Sequence, residues 1–255
     1  MTDFFSSLDS WLVALVLALS MVVAWRWGRS HGRKLQSRLG EVPGSQFENA
    51  SLALLGLLIG FSFSMAMVKH DSRRQMVVTD ANAIADFYTC ASLLKEPLRS
   101  ELQGVIRNYA VLRLDLARQT YNEADFEAAL AKMQQMQGQM TDSVDRALQA
   151  GTPIAVSLTN TLNAVTSVHA SRLFAVKDRL PAEIVYLLLL SAVVCSVLVG
   201  REQGASNRSD IAGTVCFIVL VTFAVYVTLD LNQPERGLIT ISQEPIQRVL
   251  SSISK

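Results

Sequence analysis

Four separate runs of this chain are apolar enough, and long enough, to cross a lipid bilayer. A hydrocarbon core near 30 Å thick takes about 20 predominantly apolar residues in helical form. Inside it only helices or closed barrels satisfy their own backbone groups. The runs cover residues 10–27, 47–68, 182–200 and 211–231. The first lacks the charged leader and small-residue cleavage site of a secretory signal, so it is expected to stay in the membrane. Half of the 255 residues are hydrophobic, and 23 basic against 22 acidic residues leave a net charge of +1. Such a balance gives no overall field to recruit nucleic acid, which is not expected as a partner. The expected surroundings are the lipid bilayer of the plasma (inner) membrane.

Orientation follows from the short loops, because Lys and Arg resist translocation. The loop after the first run carries Arg26, Arg29, Arg33, Lys34 and Arg38, and that between the third and fourth adds Arg201 and Arg208. An even number of runs separates the two loops, so they share a side, predicted to be cytoplasmic. Both termini and the central segment then face outward. Lys69, Arg73, Arg74, Arg172, Lys177 and Arg179 flank the membrane on that other side and reduce the contrast.

The predicted organisation is all-α: a first transmembrane hairpin (1–68), a helical extramembrane domain (69–181), a second transmembrane hairpin (182–231) and a tail (232–255). Apolar residues of the central segment recur at three and four, the helical period. Val77, Asp80 or Ala81, Ile84, Tyr88, Ala91 and Leu94 share a face, so the second run is expected to continue as helix until Pro97 ends or kinks it. A second helix carries Leu102, Val105, Tyr109, Leu112 and Leu116, and a third, starting after Asn122, carries Phe126, Leu130, Met133, Met140, Val144 and Leu148. Gly151 stops it, and Thr152-Pro153 restarts a helix with Ile154, Leu158, Leu162, Val165, His169 and Leu173 on its apolar face. An antiparallel bundle is the simplest product. The tail, with Ile239, Ile241, Ile246, Val249 and Leu250, can lie at the membrane interface or pack on that bundle, and Pro245 in its middle favours packing.

Little in the chain points to chemistry. Cys90, Cys195 and Cys216 are too scattered for a disulfide framework or a metal site. Met133, Met136 and Met140 at helical spacing read as core rather than as a soft-metal face. His70, Asp71 and His169 could approach one another, yet no HxxH, HExxH or CxxC spacing supports a metal there. No P-loop, Rossmann fingerprint or nucleophile elbow is present. Neither cofactor, metal nor enzymatic activity is expected. No ionisable residue occupies the middle of an apolar run, which argues against an ion-coupled carrier but permits a passive pore. Gly56, Gly60 and Ser64 repeat at four and are read as a face for close helix packing, within the chain or between subunits of a homo-oligomer.

The stretch "LLGLLIGFSFSMAMVKHDSRRQMVVTDANAIADFY", then "LLKEPLRSEL" and "NYAVLRL", and later "YVTLDLNQPERGLITISQEPIQ", resemble the bestrophin-like membrane proteins, a bacterial family of unassigned function. Matching positions include Arg73, Arg74, Asn82, Ile84, Tyr88, Glu96, Pro97, Tyr109, Arg113, Asp230, Pro234, Arg236 and Gly237. Asp80 stands where the family usually has Glu, and Ala85 and Asp86 stand where it has Gly and Thr. The resemblance implies four membrane helices with a helical domain and, through likeness to the bestrophin chloride channels, a pentamer whose helical domain lies in the cytosol. That orientation is opposite to the one the loop charges predict.

Two readings of function follow. In one, subunits assemble through Gly56, Gly60 and Ser64, and the second run lines a passive ion (anion) pathway with a basic vestibule at Arg73 and Arg74. In the other, a non-conducting anchor or sensor uses its helical domain to bind an unidentified envelope component. The candidate polar cluster is Arg73, Arg74, Asp80, Asn82, Tyr88, Arg113, Asp230 and Arg236, with Arg73 or Arg74 expected to pair with Asp80 or Asp230.

Overall fold

The computed structural model describes residues 9–39, 46–118, 123–206, 210–233 and 238–254, which form α-helices and no strand. In chain order these are α1 (Ser10–Leu39), α2 (Gln46–Ser92), α3 (Leu98–Arg118), α4 (Glu123–Gln149), α5 (Ala155–Lys177), α6 (Ala182–Ala205), α7 (Ile211–Asn232) and α8 (Glu244–Ile253). Four of them, α1, α2, α6 and α7, are long and apolar enough to span a membrane. As the hydrophobic period predicts, α2 is one uninterrupted helix of 47 residues. Its break falls just before Pro97, and the chain turns there into α3.

The chain divides into two compact units: residues 1–70 with 178–240, and residues 71–177 with 241–255. The first unit contains the membrane helices. Its core joins Val13, Leu17 and Met21 of α1 to Leu55 of α2, Leu188, Ala192 and Cys195 of α6, and Val221 and Val225 of α7. The tightest element pair is α1 with α6, and glycine makes it possible. A Cβ added to Gly28, Gly32, Gly200 or Gly204 would lie 2.2, 2.1, 2.2 or 2.3 Å from the carbonyl oxygen of Val197, Arg201, Trp25 or Arg29 respectively. Residue numbers rise together along the contact, so the two helices run parallel. Small-xxx-small faces let backbones approach in lipid, where apolar contact alone gives no drive. At one end of this contact Trp25 Nε1 donates to Gln203 Oε1 (3.1 Å) and Gln203 Nε2 donates to Thr214 Oγ1 (2.9 Å), so α7 is tied to the same pair. Asp210 caps α7 by accepting from the Gly213 N–H at 2.8 Å.

The second unit is a helical bundle around Phe87, Leu102, Ile106, Tyr109, Met133, Met140 and Leu158, all fully buried. The methionines therefore serve as packing. Gly151 adopts φ +72° and closes α4, with the Gly151 and Thr152 N–H groups bonded back to the Leu148 and Ala147 carbonyls. The tail packs within this unit: Ile246 of α8 is fully buried against Val77, Ala81 and Leu114, and Arg107 donates to the Ile253 carbonyl at 2.6 Å.

Candidate functional site

Within the second unit α2 turns one side into the bundle. At about 100° per residue, Val77, Asp80 and Ile84 fall on one side together with Arg73, and all four are buried. Asp80 is wholly enclosed, and its Oδ2 accepts from Arg113 Nε of α3 (2.8 Å) and Arg172 Nη1 of α5 (2.7 Å). Arg172 Nη2 donates in turn to Gln243 Oε1 (2.8 Å), just ahead of α8. One carboxylate thus holds two guanidinium groups, and the residue joins α2, α3, α5 and the tail of the second unit. Burial and the neighbouring Arg113 charge pull Arg172 below its usual range. Burial pushes the Tyr109 phenol beside the cluster upward.

His169 completes the cluster. Arg113 Nη1 lies 2.8 Å from its Nδ1. A guanidinium can only donate, so Nδ1 must carry the lone pair and the ring is neutral with its proton on Nε2. Burial, then the Arg113 charge, lowers its pKa from 6.5 to about 4. Because the folded value lies below the unfolded one, the unfolded chain takes up the extra proton as pH falls. Stability is expected to decline progressively from about pH 6.5 to about pH 4 and to lose this dependence below it. Thermal unfolding of the full chain across that range, compared with His169→Gln, reads the effect: the variant should have the shallower slope, and equal slopes would remove His169 as its source.

The expected pairing of Arg73 or Arg74 with Asp80 is not what forms. Arg73 is buried and its Nε donates to the Ala175 carbonyl (3.0 Å), while Arg74 is exposed on a different side of the helix. The reason is reach and angle: Arg113 and Arg172 approach Asp80 from facing helices, whereas Arg73, seven positions earlier on the same helix, lies about two turns away. Tyr88 is half-buried and its hydroxyl donates to the Ile253 carbonyl (3.3 Å). Asn82 is exposed. Asp230 belongs to the first unit, where its carboxylate accepts from the Leu238 N–H (3.1 Å) and the Ile239 N–H (2.9 Å) and so holds these two residues to the end of α7. Arg236 lies outside the described residues. The cluster the structure assembles is therefore Asp80, Arg113, His169, Arg172 and Gln243. Nothing in the local sequence singles out Gln243, and Arg172 stands among several basic residues.

In the first unit one face of α2 is bare among the described residues. Ala53, Leu57, Gly60 and Ser64 fall within about 40° of one line along the helix, and all four are exposed. A Cβ added at Gly56 or Gly60 would meet no atom within 4 Å, in contrast to the four glycines of α1 and α6. In the most apolar window of α2 17% is buried, against 28–33% for the other three spans. Among the described residues, nothing packs over the glycines of the face noted at Gly56, Gly60 and Ser64.

A family model for the bestrophin-like domain matches residues 14–246. Among solved structures the chain is similar to a bacterial bestrophin homologue from Klebsiella pneumoniae, at 14% identity and TM-score 0.64 with 94% of each chain covered. A point variant of that homologue matches at 13% identity and TM-score 0.64, again over 94% of both chains. A third structure, described as a membrane protein, matches at 12% identity and TM-score 0.65, over 94% of this chain and 97% of that one. At such identities the likeness is one of fold. No curated protein matches the sequence.

Proposed function

This chain belongs to the bestrophin-like family, and from that premise we propose that it assembles into a homo-oligomer in the membrane and forms a passive ion pathway lined by α2. The observation that carries this reading is the bare face of α2, with small residues at Gly56, Gly60 and Ser64 and open space over both glycines. A monomer would present that face to lipid, where a stripe of glycine and serine gains less from contact than leucine or phenylalanine. Around a symmetry axis the same stripe suits either close approach of helices or a lumen. No charge sits in the apolar part of the stripe, which fits conduction by hydroxyls and apolar constrictions rather than an ion-coupled cycle. Purified protein reconstituted in liposomes tests it: an oligomer with ion flux is the expected result, and a monodisperse monomer without flux would refute it.

The charge of the short loops supports an outward-facing bundle unit. A cysteine at exposed Ala150, one residue before the positive-φ Gly151, placed in a Cys216→Ser background, should react with a membrane-impermeant thiol reagent in intact cells. Labelling only after lysis would put the unit in the cytosol.

A further inference from the structure

In the first unit, the start of α1 and the last turns of α7 bound a cavity of about 160 Å³. Asp9, Ser10 and Trp11 line it on one side, and Tyr226, Asp230 and Leu238 on the other. Asp230 and Ser10 are buried, at 1% and 3% exposure. Asp9, Trp11 and Leu238 are exposed, so the cavity opens to the surface.

Its polar groups are under-satisfied. Ser10 Oγ is buried with no hydrogen-bond partner. The Leu12 and Val13 N–H groups bond to the Asp9 carbonyl, which leaves the Asp9 carboxylate without a hydrogen bond among the described residues. The Asp230 carboxylate accepts from the Leu238 and Ile239 N–H groups, so backbone dipoles meet its charge and no cation does. Among the described residues no basic side chain lines the cavity. A buried carboxylate without a counter-charge and an enclosed hydroxyl without a partner are both costly. A ligand with one positive charge and several N–H donors would relieve both.

The acceptors and the walls identify its chemistry. A primary ammonium carries three N–H donors, and Asp9, Asp230 and Ser10 Oγ provide an acceptor for each. Trp11 and Tyr226 supply aromatic rings, which attract poorly hydrated organic cations. A cavity of about 150 Å³ takes a guest the size of benzene, so this one is too roomy for a bare metal ion and suits a short alkyl chain. A divalent ion would also call for about six oxygen ligands, and the described residues contain no group of three or more His, Cys, Asp or Glu able to hold a metal. The apolar runs that begin at Ser10 and end at Leu231 put the cavity at the membrane boundary, the level of phospholipid head groups.

We propose that this cavity binds a primary alkylammonium group, carried by an ethanolamine phospholipid or by a soluble amine.

The test uses the full-length protein in detergent, with n-butylammonium chloride as the probe and sodium chloride or tetramethylammonium chloride at equal ionic strength as controls. Only n-butylammonium is expected to raise the thermal-unfolding midpoint, because tetramethylammonium has the charge but no N–H. Ser10→Ala and Asp9→Asn should each weaken that binding roughly tenfold. Neither side chain is bonded to the described residues, so both variants should unfold at the wild-type midpoint when the probe is absent. Repeating the titration in nanodiscs separates the two sources. Weaker apparent binding of n-butylammonium in phosphatidylethanolamine than in phosphatidylcholine assigns the site to the lipid, and equal binding assigns it to a soluble amine. No shift with n-butylammonium, an equal shift with tetramethylammonium, or binding unchanged in both variants overturns the proposal.

Discussion

Asp80→Ala is expected to lower the stability of the bundle unit by roughly 3–5 kcal/mol, because it leaves two guanidinium groups enclosed without their anion. Asp80 is fully buried, and both ion pairs use its Oδ2, at 2.8 Å from Arg113 and 2.7 Å from Arg172. Loss of the carboxylate also frees Arg172 from the bond that holds it beside Gln243, so the tail helix should loosen. Thermal unfolding should show the loss, and hydrogen exchange of residues 244–253 should accelerate. Removing the charges together gives a different outcome. The triple change Asp80→Leu, Arg113→Met and Arg172→Met should recover most of the stability, since an apolar replacement of a buried ion triad is often neutral or better. A small loss in the single variant would mean that water reaches the cluster and screens it.

Gly200→Leu is expected to prevent the membrane unit from folding correctly. Even its Cβ would lie 2.2 Å from the Trp25 carbonyl oxygen, so α1 and α6 must separate along their whole contact. Overpacking of this kind costs about 3 kcal/mol or more, and it would also break the Trp25–Gln203–Thr214 chain that ties in α7. The yield of protein that survives detergent extraction as a monodisperse species should fall steeply for Gly200→Leu and for Gly28→Leu. Gly60→Leu provides the contrast: with open space around it, the fold should persist and only assembly or flux should change. Equal damage at Gly60 and Gly200 would contradict the distinction between an internal and an external glycine face.

These two sites also show where the sequence was readable and where it was not. Four spans, the unbroken helix through residues 69–92, the stop at Gly151 and the methionine core all follow from hydropathy, period and backbone preference, which are local. Packing of Ile246 against Val77 was expected in outline from the amphipathic tail. The partners of Asp80 were not legible, because they come from 33 and 92 residues away and compete with Arg73 and Arg74 close by in sequence. Only the rotation of α2, which turns Arg74 outward and Arg73 toward Ala175, decides among them. The glycine contact between α1 and α6 escaped notice for a different reason. Gly56, Gly60 and Ser64 lie inside an apolar run and drew attention, whereas Gly28, Gly32, Gly200 and Gly204 sit at the ends of runs among arginines. Hydropathy closes the spans at about Trp27 and Gly200, yet α1 and α6 continue past both as helix. The Gly-x-x-x-Gly spacing in both segments was the available signal.

A bare helix face invites an alternative in which it meets only lipid, and the choice between lipid and lumen is open to direct chemistry. Ser64 is the most useful reporter, since it is exposed on the apolar part of the line. Of the native cysteines Cys90 and Cys195 are buried and Cys216 is exposed. The decisive measurement is therefore the current carried by Ser64→Cys in a Cys216→Ser background, before and after a charged, water-soluble thiol reagent. If α2 lines an ion pathway, the reagent will abolish most of the current in this variant and leave the Cys216→Ser parent unchanged. Current that persists after complete modification of that thiol, or a thiol that water-soluble reagents never reach, would place the face in lipid and contradict the account.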